Sequence, residues 1–154
     1  MALNAYISIN GHNQGQFAGD GSDPKNKNRM LISSFSMSAA SPHDPATGRA
    51  SGKRQWKPVV VQKLWSAASL QIYQALVTNE TLTSVLIEFV AVSQEAEQLD
   101  HSISLSNASI TEVSEIPSST QSPIGNELEE VSFIFQKIEI KDKSGKTFMD
   151  DWQA

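Results

Sequence analysis

Alternation of apolar and polar residues with a period of two recurs along almost the whole chain and leaves room for only one helix. Runs of this kind are stable only as strands that bury a face, so the chain must fold as a mainly β protein. Ala5-Tyr6-Ile7-Ser8-Ile9 is the first such run, closed by the tight-turn dipeptide Asn10-Gly11. Residues 11–28 are rich in Gly, Asn, Asp and Lys, include Pro24, and read as a loop. Met30–Ser38 and the β-branched run Pro58–Leu64 are the next strands. Thr81–Ser93 is apolar on both faces, with Val85, Ile87 and Phe89 against Leu86 and Val90. That pattern requires core on one side and the helix or a neighbouring subunit on the other. His101–Ile110 sets Ile103 and Leu105 inward and Ser102, Ser104 and Ser106 outward. Residues 114–127, with Pro117, Pro123 and Gly125, form a second polar loop. Leu128–Ile140 is the longest strand candidate, with Val131, Phe133 and Phe135 on one face and Ile134, Ile138 and Ile140 on the other. A turn at Gly145 precedes a last short strand, Thr147–Trp152.

The one helix spans Ser66–Val77. Ser66 is placed to cap its start, and Leu70, Tyr73 and Val77 form an apolar stripe beside Ile72 and Leu76. The stripe is expected to cover an open end or face of the sheet, with Asn79 near the C-cap. A single domain over 1–154 follows from the length, since two halves would each have a marginal core. Many short strands around one helix point to a small closed barrel or tight sandwich. Residues 39–57 stand apart: a loop of nearly twenty residues with Pro42, Pro45, Gly48 and Gly52, and loops of that length usually have a function or are disordered.

Charge is segregated along the chain. No acid lies between Asp44 and Glu80, where Arg49, Lys53, Arg54, Lys57 and Lys63 fall; no base lies between Lys63 and Lys137, where ten acids fall. Two readings are open. The segments are separate solvated faces, or the basic loop of one copy meets the acidic face of the next in a head-to-tail contact that closes a ring or extends a filament. The net charge of −5 argues against nucleic acid as the main partner. The absence of cysteine excludes disulfides and thiolate metal sites. Met1-Ala2-Leu3-Asn4-Ala5-Tyr6 lacks the basic and apolar regions of a signal peptide, and no run is long enough to span a membrane. The expectation is a chain made in the cytoplasm, without membrane insertion, that leaves the cell, if at all, by a route needing no cleaved signal.

A search for chemistry returns little. Ser144-Gly145-Lys146-Thr147 imitates the end of a phosphate-binding loop, but Ile140 occupies the position of the required first glycine. Gly52-Lys53 is followed by Arg54 where a hydroxyl should hold magnesium. His12, His43 and His101 are widely separated and lack zinc-ligand spacing. No Gly-x-Ser-x-Gly elbow occurs, and Glu95/Glu97 and Glu129/Glu130 read as solvated charge. Asn107-Ala108-Ser109 and Asn79-Glu80-Thr81 match the glycosylation pattern without a route to that machinery. Neither enzyme nor cofactor is implied.

The stretch Thr47-Gly48-Arg49-Ala50-Ser51-Gly52-Lys53-Arg54-Gln55-Trp56-Lys57-Pro58, running into Val59–Lys63, resembles the Hcp family, the tube proteins of bacterial type VI secretion. The helix segment Ser69-Leu70-Gln71-Ile72-Tyr73-Gln74-Ala75-Leu76, the runs Leu82–Val90, Leu105–Ala108 and Leu128–Ile138, and the ending Gly145–Trp152 continue the similarity in order along nearly the whole chain. Asp23–Arg29 departs from it. The resemblance implies a small two-sheet β-barrel with one flanking helix and a long extended loop, akin to phage tail tubes. It implies hexameric rings that stack into a secreted tube, with spike and sheath components as partners and small effectors in the lumen. On that reading Arg49, Lys53, Arg54, Trp56 and Lys57 reach an adjacent subunit or ring, where acids such as Glu127, Glu129 or Glu130 receive them. Asp150, Asp151 and Trp152 are interface or a terminal anchor. The alternatives are a monomeric β-sandwich ligand-binding module and a contractile phage tail-tube subunit.

Overall fold

The computed structural model describes residues 3–21, 27–92, 97–117 and 127–152. Six strands close on themselves: β1 (Leu3–Gly11), β3 (Met30–Ser36), β6 (Val59–Leu64), β7 (Leu82–Val92), β8 (Glu97–Pro117) and β9 (Glu127–Ile134). Their order is β8-β7-β1-β3-β6-β9, and β9 pairs back onto β8 to shut the barrel, every pairing being antiparallel. β2 (Gly15–Gln16) is a short return against β1, while β4 (Ala39–Ala40) and β5 (Gln55–Trp56) pair with each other outside the barrel. β10 (Lys137–Asp142) continues along β8, and β11 (Thr147–Asp151) adds to β10 as a ribbon beyond the closed sheet. The helix α1 runs from Ser69 to Thr78. Closure removes the sheet edges of the barrel, leaving β11, the short β2 and the β4–β5 pair as strands with a free side among the described residues. Parts of the loops 11–28 and 114–127, including Pro24, Pro123 and Gly125, and Glu95 lie outside the described residues.

The alternating strands bury the faces their patterns require. Ile7, Ile9, Val59, Val61, Ile103 and Leu105 all lie inward and contribute to one core cluster. Three strands change parity part-way, and each change has a local cause. In β7 the register with β1 shifts at Thr83, so that Leu82 and Val85 both face the core, while Phe89 packs against that core, stacked on His101 and meeting Phe35 edge-on. Val90 is buried as well, apart from that cluster. In β8 the left-handed backbone of Asn107 (φ 49°) moves the buried set from Ile103 and Leu105 to Ala108 and Ile110. This strand is 21 residues long, far beyond the ten in the alternating run His101–Ile110. The run Leu128–Ile140 is two collinear strands: Ile134 faces Ser109 and Lys137 faces Ser106, with the ladder interrupted at Phe135 and Gln136. Phe135 and Ile138 are therefore both buried although three residues apart.

The helix corrects two expectations. It starts at Ser69, and the Ser66 hydroxyl accepts from Ala68 N in the turn ahead of it instead of capping it. Ser69 Oγ in turn accepts from Ser66 N. The buried face is Ile72 and Ala75 with Leu76 partly covered, whereas Leu70 and Val77 are 70% and 72% exposed. Both sides of this helix are apolar, so periodicity alone does not choose between them. Asn79 closes it in the left-handed conformation, with its N–H and that of Glu80 returning to Leu76 O and Ala75 O.

Several charged side chains are inside, among them Glu129, which reads from sequence as solvated charge. Glu80 is buried and accepts hydrogen bonds from the backbone of Asn13 and Gln14 and from the Gln14 amide, which pins the turn after β1. Burial works to raise its pKa, but these donors hold it below the usual carboxylate value. Gly11 is required there, because a Cβ would run into the Glu80 carboxylate. Arg29 is buried over the Tyr6 ring and pairs with Glu88 and Glu97. Glu129 is fully buried and paired with Lys63.

Candidate functional site

Residues 39–57 are not a structureless loop but a two-stranded arm. Ala39 faces Trp56 and Ala40 faces Gln55; a further bridge joins His43 to Ala50, and Ser51 N donates to Pro42 O at 2.9 Å. The tip is a turn built by its own side chains. Asp44 Oδ1 accepts from Ala46 N, Asp44 N donates to Arg49 O at 2.8 Å, and Gly48 takes the positive φ (72°) the turn needs. Every residue from 45 to 55 is exposed.

The base of the arm is clamped to the C-terminal ribbon. Asp150 on β11 accepts from Arg54 Nε at 2.7 Å, from Arg54 Nη2, and from Trp56 Nε1 at 2.9 Å. The Arg54 hydrogen bond, and after it that of Trp56, lowers the Asp150 carboxyl to a pKa of about 2. Behind this pair, the buried Phe135 ring meets Trp56 edge-on at 5.9 Å and Trp152 at 6.3 Å. Trp152 Nε1 donates to Phe135 O at 2.9 Å. The break between β9 and β10 thus places Phe135 as the wedge between two tryptophans. Ala39, Ala40, Trp56 and Phe148 line a shallow apolar groove beside the clamp.

Four residues picked from sequence, Arg54, Trp56, Asp150 and Trp152, therefore meet in one cluster. Asp151 lies on the same strand and faces Gln136, at 3.4 and 3.5 Å from its amide. Arg49, Lys53 and Lys57 stay on the exposed arm and make no ion pair among the described residues. Of the acids considered as receivers for the arm, Glu129 is excluded because it is fully buried. Glu130 accepts from the Gln62 amide, and the Glu127 side chain lies outside the described residues. Phe135 was missed as a site residue. Its place in an alternating apolar run reads only as core.

The closed barrel with one helix packed on it agrees with the small barrel and flanking helix that the resemblance implies. A family model described as "Type VI secretion system effector, Hcp" matches residues 6–141. The chain belongs to the Hcp family. It is 30% identical over 169 aligned positions to the "Major exported protein" of Pseudomonas aeruginosa, covering 100% of this chain and 98% of that protein. Among solved structures it is similar to the secreted protein Hcp3 of Pseudomonas aeruginosa, with a TM-score of 0.79, 25% identity, and 99% and 100% of the two chains covered. A mutant of Hcp1 from E. coli EAEC 042 superimposes with a TM-score of 0.86 at 20% identity, over 98% and 99% of the chains, and shows the likeness of fold alone. Hcp is a structural family of a secretion system, which accounts for a site made of packing and charge. Among the described residues no cluster of three His, Asp or Glu could hold a metal.

Proposed function

We propose that this Hcp chain is a subunit of a type VI secretion tube: copies close into hexameric rings, the rings stack, and the tube leaves the cell without a cleaved signal peptide. The observation that carries this reading is the arm. Its base is fixed by a carboxylate with three N–H donors, while its tip presents Arg49 and Lys53, which make no ion pair among the described residues. A fixed base and an exposed cationic tip suit a projection that docks on another copy. The ribbon strand β11 has an open edge, and Phe148 and Met149 on its two faces are both more than half exposed, a surface that adjoining subunits would cover. Exposed ion pairs contribute only about 0–1 kcal/mol each. Charge at the tip would therefore fix register, while apolar contact and repetition around the ring supply affinity. Spike and sheath components and small effectors in the lumen are the partners this role requires.

Light scattering coupled to size exclusion, with negative-stain imaging, tests the reading. A uniform six-membered ring is the expected result, and a strict monomer at high concentration overturns it in favour of a lone ligand-binding module. Arg49→Glu with Lys53→Glu should weaken stacking of rings without altering the melting temperature. Arg54 is unsuitable for this test, since its reversal would break the clamp within the chain.

A further inference from the structure

Lys63, Glu129 and Glu115 stand abreast across three strands at one mouth of the barrel. Lys63 lies directly opposite Glu129 on β6 and β9, and Glu129 directly opposite Glu115 on β9 and β8. The helix rests on this row: Tyr73 Oη donates to Glu115 Oε2 at 3.1 Å, and Lys63 Nζ donates to Ser69 Oγ at 3.4 Å. Glu129 is fully buried. Its Oε1 accepts from Lys63 at 3.2 Å, but its Oε2 has no donor among the described residues. Such an orphaned acceptor is costly, and the carboxyl group across the ladder can satisfy it only by carrying a proton.

We propose that Glu115 and Glu129 share one proton across the β8–β9 ladder, so that the seam beneath α1 tightens on mild acidification. The proton comes from solvent onto the Glu115 oxygen that Tyr73 does not hold, and is donated to Glu129 Oε2. The groups facing it are Lys63 on β6, Tyr73 on α1 and the two carboxyls themselves. Although Glu115 is exposed, partial desolvation of its carboxyl and next the charge of Glu129 raise it above its ordinary value, against the opposing effects of Tyr73 and Lys63. An acid whose pKa is higher folded than unfolded gives stability that is complete below its unfolded pKa and is lost as pH rises through the folded one.

Glu115→Gln supplies Oε2 with a permanent N–H donor that needs no proton. Melting of the full chain from pH 4.5 to 8 should place this variant about 2–4 °C above wild type at the upper end, the size expected for satisfying one buried acceptor in a chain of this length. The difference should close as wild type takes up its proton, and Glu115→Ala should show no such gain. A difference that is absent, or constant with pH, overturns the proposal. The ¹³C titration of the Glu115 carboxyl decides it without any variant: a midpoint above that of free glutamate supports the shared proton, and one coinciding with it refutes it. Neither readout depends on whether the chain forms rings.

Discussion

Replacing Lys63 with Met removes the one cation that compensates a fully buried carboxylate. The Lys63 and Glu129 side chains are 2% and 0% exposed, and the ammonium makes three contacts: Glu129 Oε1 at 3.2 Å, Leu64 O at 3.0 Å and Ser69 Oγ at 3.4 Å. Met matches the length and flexibility of the lysine stem, so the change deletes the charge with little loss of packing. Glu129 is then left without its partner, on top of an Oε2 that already has no donor among the described residues. Breaking a buried pair from one side costs about 3–5 kcal/mol, and at about 2–4 °C per kcal/mol in a chain of this size the melting temperature should fall by roughly 6–20 °C. The double replacement Lys63→Met with Glu129→Leu removes both charges and their desolvation, and should recover most of that loss. Calorimetry of the two single variants and the double closes the cycle. A loss under about 1 kcal/mol for Lys63→Met would mean that water reaches the pair, as at a surface ion pair. A double variant no better than the single would mean that shape and not charge holds the mouth. Either result refutes the reasoning.

Asp150→Asn should free the base of the arm while leaving the barrel intact, seen as faster proteolysis within 42–53 and a shifted Trp56 emission. Since Asp150 is held at about 2 against an ordinary 3.8, its contribution is present above 3.8 and is lost as pH falls from there towards 2. Wild type should show that acid release of the arm in Trp emission, and Asp150→Asn should not. On the helix, Ile72→Ala should cost about 2–5 kcal/mol because Ile72 is fully buried. Leu70→Ala should stay within about 0.5 kcal/mol because Leu70 is 70% exposed. Urea denaturation of the two variants checks the ordering, and equal losses would place the buried face wrongly.

The sequence by itself determined the class of fold and the positions of the barrel strands, because a period of two is a local property: Ile7 and Ile9, Val59 and Val61, and Ile103 and Leu105 bury where their alternation puts them. It also marked the arm as exceptional through its length and composition, and the ordered similarity along the chain pointed to the family. Only the tertiary structure decided which apolar side of α1 faces inward, since both sides are apolar and the choice is made by the barrel mouth beneath. The irregularity at Thr83 and the left-handed Asn107 shift the faces of β7 and β8, and local patterns do not announce such shifts. Lys63 and Glu129 continue inward-facing alternations, yet they look like charged strand ends until β9 closes beside β6. Arg54 and Asp150, 96 residues apart, meet because the ribbon returns beside the arm. Charge identity is written in the chain, whereas the partner and dielectric that give a charge its effect are set by how the chain closes.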